Sequence, residues 1–340
     1  MMTQTDQRLR DPEWMAHRYA PGSDSFHFRL VPRARRSEVP FLTDEYLGSD
    51  TNVIDVPRAR LGALFEGAPP GRLNFVFHSA FCGSTMLAHA FDREGVSSSL
   101  SEPVALNDLV GFRRRGGDPK AVEALASATL RLLGRTYPGE QAVVVKPSNI
   151  VNPLIPALLG LAPDARGVLL HADLDDFLAS VAKKGLWCRL WGRELLRGYL
   201  TDGFVDLGFS PEDLFLQSDL QVAAVGWLAQ QQFFARLLGS PDTRLRALRA
   251  GDLVMRPEAA IAACSAHFGL ATDEDALPQT RAIGRDSKTG GAFDRARFEA
   301  ERQKVRAAHG DELEKVAAWA RAVAATFGIP LDLPRQLLSG

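Results

Sequence analysis

The chain has 340 residues, 46% of them hydrophobic, enough to bury a sizeable core in one large α/β domain or two modest ones. Its 40 basic and 41 acidic residues leave a net charge of −1, which speaks against a nucleic-acid binder, since such proteins carry a clear basic excess. Cys82, Cys188 and Cys264 are too few and too far apart for a disulfide framework or a paired metal motif, so a reduced, cytoplasmic setting without a bound metal is expected.

The opening stretch, Met1 to Tyr19, is polar and charged, so no signal peptide is expected, and no apolar run reaches the ~20 residues of a membrane span. Residues 1–70 show weak periodicity and read as an N-terminal extension packing on a core. Within them Arg33-Ala34-Arg35-Arg36 reads as a solvated face. Ala68-Pro69-Pro70-Gly71 is a strong break, and a core domain is placed at 71–292.

From there strand, loop and helix alternate. Leu73 to Phe77 is a short apolar run, and Ser84 to Phe91 follows as a helix. Ala142-Val143-Val144-Val145 is continuous and β-branched, as in a strand buried on both faces. Val151 to Leu161 reads as helical despite Pro153 and Pro156. Gly167 to Leu170 is a further strand, followed by a helix from Asp173 to Lys183. Residues 185–240 form a helical insertion, Leu245 to Leu248 a later strand, and Pro257 to Phe268 a helix. The tail, 293–340, reads as amphipathic helices broken at His309-Gly310-Asp311. The alternation predicts an α/β fold, a three-layer sandwich with a mostly parallel central sheet flanked by helices.

The turn Ser79-Ala80-Phe81-Cys82-Gly83-Ser84-Thr85 follows a strand and opens a helix. A helix start offers unpaired N–H groups and a positive dipole end to an anion. Gly83 permits close backbone approach, and Ser84 and Thr85 add hydroxyls. The segment is not a standard phosphate loop of the G-x-x-x-x-G-K-[ST] form: His78 stands at the first glycine and Ser84 at the lysine.

The wider stretch Asn74 to Leu87 resembles the opening of sulfotransferases, including the tyrosylprotein and bacterial types. Their loop holds the 5′-phosphosulfate of 3′-phosphoadenosine 5′-phosphosulfate. Ser101-Glu102-Pro103 resembles the acidic segment whose Glu serves as general base in the tyrosylprotein enzymes. Val143 to Pro147 resembles the strand ending in Lys, here Lys146. Leu161 to Leu170 resembles the next helix end and strand, after which Ser180 stands where a Ser holds the 3′-phosphate. Leu248 to Glu258 with Phe268-Gly269-Leu270 resembles a third block. Ser287 to Gly291, with Lys288 and Gly290, resembles the late loop that closes over the nucleotide. These blocks keep the family's order over residues 73–291.

The resemblance implies a sulfotransferase-like fold and a metal-free sulfuryl transfer to a hydroxyl or amine of a small metabolite or peptide. Glu102 would act as base and Lys146 as cation, with His78 as a second base candidate. Two departures stand out. Phe81 occupies the loop's usual cation position. Ala172, beside His171, occupies that of the 3′-phosphate Arg, where a protonated His171 could serve. A phosphate-loop kinase, with Asp173 or Asp175-Asp176 as metal carboxylates, and a non-catalytic nucleotide-binding module stay open. So does a line of Lys183, Lys184, Trp187 and Trp191 along an acceptor site. The sequence does not fix the acceptor or the oligomeric state.

Overall fold

The computed structural model describes residues 3–48, 52–68, 71–271 and 295–338. Lys288 and Gly290 lie outside the described residues. The chain divides into two compact units. One comprises 1–77, 85–167 and 261–291, and the other 78–84, 168–260 and 292–340.

Five strands form the central sheet: β4 (Arg72–His78), β5 (Ser97–Ser101), β6 (Ala142–Lys146), β7 (Arg166–His171) and β8 (Leu245–Arg249). They run parallel in the order β5-β6-β4-β7-β8, with helices flanking them. The expected α/β architecture is therefore present. β4 and β6 owe their interior places to composition: Leu73 to His78 and all of β6 are buried, which suits apolar and β-branched residues covered on both faces. The chain leaves β4 toward β5 and β6 and later returns on its other side as β7. That makes β4 the topological switch, where open α/β sheets place ligands beyond the strand ends.

β5 carries no apolar signal. Its sequence is Ser97-Ser98-Ser99-Leu100-Ser101, yet all five residues are buried. Parallel pairing with β6 satisfies its backbone, with Ser97 opposite Ala142 and Ser101 opposite Lys146. Ser97 Oγ also donates to Phe91 O at 2.7 Å.

Residues 1–70 hold more order than their periodicity announces. β1 (Trp14–Ala20), β2 (Ser25–Leu30) and β3 (Val53–Pro57) form an antiparallel sheet in that order. The basic run is a solvated face only in part: Ala34 and Arg35 are exposed, whereas Arg33 and Arg36 turn inward. Arg36 is 6% exposed and its Nε donates to Val31 O at 3.0 Å. Arg33 pairs with Asp92 at 2.8 Å and with Glu140, and its guanidinium lies 5.1 Å from the Tyr137 ring centre. A planar guanidinium is buried readily where carbonyls, carboxylates and an aromatic face match its fork.

In the second unit the helices 174–183, 185–201, 219–239 and 295–326 pack on one another. The expected break at His309-Gly310-Asp311 does not occur, because the last helix runs on through it. Gly310 costs such a helix about 1 kcal/mol. An Asp311–Lys315 pair one turn on (2.8 Å) and burial of Val316, Ala317, Ala320 and Ala324 offset that cost. No helix among the described residues is long and apolar enough to cross a membrane.

Candidate functional site

The predicted phosphate turn follows β4 and opens the helix 84–89. Ala80 (φ 73°) and Phe81 (φ 52°) are left-handed, and so is Gly83 (φ 79°). For the two residues with a Cβ this costs of order 1–3 kcal/mol each and persists only where surroundings impose it. The surroundings are identifiable. His78 Nδ1 accepts the Ala80 N–H at 3.1 Å. Ser79 donates its N–H to Leu170 O (3.1 Å) and accepts the Ala172 N–H on Oγ (3.1 Å), which ties the turn to the end of β7. Ser79, Ala80, Cys82, Ser84 and Thr85 are buried, whereas Gly83 is exposed.

Phe81, at the expected cation position, packs into an aromatic cluster. Its ring centre lies 5.8 Å from that of Phe177 and 5.5 Å from that of Trp191, edge-on to the latter. Lys184 Nζ sits 5.4 Å from the Phe81 ring centre. Ser180 is half-buried on the same helix as Phe177.

His171 ends β7 and is fully buried. Burial pushes its pKa down to about 4, with the Arg249 charge adding to the effect. Gln336 Nε2 lies 3.1 Å from its Nε2, the contact of an amide donor with a neutral imidazole acceptor. Burial and the Gln336 amide both favour the neutral imidazole over the protonated form expected from the sequence. Arg249, at the end of β8, is the cation of this neighbourhood, with Asp173 at 3.9 Å and Asp332 as its partners. Asp175 pairs with Arg321. Asp173 and Asp175, two of the aspartates considered as metal carboxylates for a kinase, thus face arginines. Among the described residues no group of three or more His, Cys, Asp or Glu side chains is placed to hold a metal ion.

In the first unit the parallel register brings Glu102 and Lys146 together. Ser101 lies opposite Lys146, so the next residue, Glu102, emerges beside it. Glu102 donates its N–H to Lys146 O at 2.6 Å, and its carboxylate accepts from Lys146 Nζ. The lysine side chain is 1% exposed and that of Glu102 16%. Glu102 is also left-handed (φ 50°) just before Pro103. Sequence reasoning missed two neighbours. Segment 40–42 is stitched to the end of β5: Leu42 N–H donates to Ser101 O (2.7 Å) and Ser101 Oγ to Pro40 O (2.7 Å). That seats the Phe41 ring 4.5 Å from Lys146 Nζ, a cation–π contact. His89 has its pKa lowered by burial first and by the Lys146 charge second. No local pattern marks Phe41 or His89, since only the chain's return to β5 and β6 makes them neighbours.

No family model matches the chain, and no curated protein matches it. Among solved structures it is similar to a sulfotransferase domain from the curacin biosynthetic pathway, at 15% identity and a TM-score of 0.44. The match covers 78% of this chain and 99% of that one. The similarity is one of chain course, at a level that transfers neither residue roles nor a reaction.

Proposed function

We propose that the protein is a sulfotransferase-like enzyme that moves a sulfuryl group from 3′-phosphoadenosine 5′-phosphosulfate to a hydroxyl or amine acceptor. The supporting observation is where the backbone is strained. Five non-glycine residues among those described have positive φ, and three of them are Ala80, Phe81 and Glu102. These belong to the two segments that sequence motifs assign to phosphate binding and base catalysis. Left-handed non-glycine residues cluster at functional sites because only a surrounding structure built to hold them keeps them there.

In this reading the turn 79–85 holds the 5′-phosphosulfate, and Ser180 the 3′-phosphate. Lys288 and Gly290 contribute from the late loop. The acceptor oxygen or nitrogen attacks sulfur. The bond from sulfur to the bridging phosphate oxygen breaks, and its electron pair leaves with the nucleotide. Glu102 accepts the acceptor's proton. Lys146 fixes the carboxylate, and His78 shapes the turn through Ala80 rather than acting as a second base. Positioning and fixed charge carry the rate, as in phosphoryl transfer.

The test is calorimetric binding of 3′-phosphoadenosine 5′-phosphate, with ADP as comparator, with and without Mg²⁺. Metal-independent binding that requires the 3′-phosphate and weakens in Ser180→Ala is the expected result. Equal affinity for ADP, or binding that depends on Mg²⁺, would overturn the donor assignment in favour of a kinase-like enzyme. Binding without turnover of any acceptor would leave a nucleotide-binding module.

A further inference from the structure

The turn 79–84 is asked to hold a multiply charged anion, yet it contains no cationic side chain. Phe81 stands where a cation is expected, and its surroundings show what replaces it. The helix 174–183 ends and the helix 185–201 begins at one joint, Lys184-Gly185, where Gly185 takes φ 65°. Phe177 lies in the first of these helices, Lys184 at the joint and Trp191 in the second, so the turn of the chain at Gly185 leaves all three close to one ring. Phe81 touches all three: Phe177 at 5.8 Å, Trp191 at 5.5 Å and the Lys184 ammonium at 5.4 Å.

We infer that Lys184 supplies the cation of the phosphate turn, delivered from the helix joint and docked on the ring of Phe81. The inference rests on the proposed function of that turn and names a binding residue within it. Three physical points favour it. A ring face holds an exposed ammonium only weakly, enough to localise it and too little to keep it from an anion. The lysine is exposed, so its ammonium is open to a ligand arriving from solvent. Its stem is a flexible four-carbon chain ending in three donors, suited to a phosphate as a point charge. Lys183, its neighbour in sequence and also exposed, serves as the internal control.

The experiment is titration calorimetry of the full chain with two probes, inorganic pyrophosphate and 3′-phosphoadenosine 5′-phosphate. The proteins are wild type, Lys184→Met, Lys184→Arg, Lys183→Met and the double variant Phe81→Lys/Lys184→Met. Lys184→Met should weaken both probes roughly 10-fold, the loss of one charge-assisted contact. It should also flatten the dependence of affinity on salt. Lys184→Arg should restore most of the affinity, and Lys183→Met should leave it within about twofold. Phe81→Lys should rescue the Met variant by returning charge to the turn, an outcome that a purely structural role of Lys184 would not give. Unchanged affinity and salt dependence in Lys184→Met overturn the inference while the proposed function stands. Lys184-dependent pyrophosphate binding without preference for the 3′-phosphate sustains the inference and removes the donor assignment. Binding of neither probe by wild type overturns both.

Discussion

Replacing Glu102 by Gln strips the carboxylate from a lysine whose side chain is 1% exposed. Breaking a buried ion pair from one side costs ~3–5 kcal/mol, because a desolvated charge is left without its counter-ion. Two features place this pair at the lower end. Glu102 retains 16% exposure, and the Phe41 ring still faces the ammonium at 4.5 Å, worth ~1 kcal/mol. The expected loss for Glu102→Gln is therefore ~3 kcal/mol. Lys146→Met replaces the buried charge by an apolar chain of similar length. It leaves the partly exposed carboxylate to cost ~1–2 kcal/mol. The double variant removes both charges and should lie within ~1 kcal/mol of wild type, which requires ~3–5 kcal/mol of favourable coupling between the two changes. Urea unfolding of the four proteins at pH 7 measures the cycle. Additive losses, or a Glu102→Gln protein within about 0.5 kcal/mol of wild type, would show that the pair is not the buried unit described. The double variant also separates stability from chemistry: under the proposed function it should be folded and yet devoid of sulfuryl transfer.

Three other outcomes follow from the same geometry. Gly83→Ala puts a side chain at φ 79° with its Cβ 3.4 Å from Leu253 Cδ2, and should cost ~1–2 kcal/mol in thermal or urea unfolding while weakening pyrophosphate binding. Ser79→Ala leaves the buried Ala172 N–H without its 3.1 Å acceptor and should cost ~1–3 kcal/mol, whereas Ser79→Thr, which keeps the hydroxyl, should cost less. His171 is held near pKa 4 when folded and titrates near 6.5 when unfolded, so between those values the unfolded chain binds the extra proton. Its contribution is present in full above pH 6.5 and is lost as pH falls toward 4, by roughly 3 kcal/mol in all. The stability difference between pH 7 and pH 4 should shrink by that amount in His171→Gln, and an unchanged difference would contradict the buried neutral imidazole.

The sequence by itself determined the elements whose burial is written in their own residues. Val143 to Val145 and Leu73 to Phe77 are apolar without interruption, and only an interior parallel strand accommodates that. The turn after β4 was legible because a strand, a glycine and paired hydroxyls at a helix start are local features. Other features were not legible, because their cause lies at long sequence separation. Four serines in β5 become a buried strand only because β6 satisfies their backbone. Glu102 meets Lys146 through that pairing register, and Phe41 reaches the lysine through hydrogen bonds from segment 40–42 to Ser101. Arg36 looked like a surface charge until carbonyls from Pro12 and Val31 closed around it. Gly310 looked like a helix break until packing of Val316, Ala317 and Ala320 outweighed its propensity. His171 reads as a possible cation, whereas burial favours its neutral form. Local propensity and periodicity are properties of neighbouring residues and can be read from the chain. Charge state, ion-pair choice and the position of Lys184 over Phe81 depend on desolvation and contact between distant segments, and the tertiary structure alone decides them.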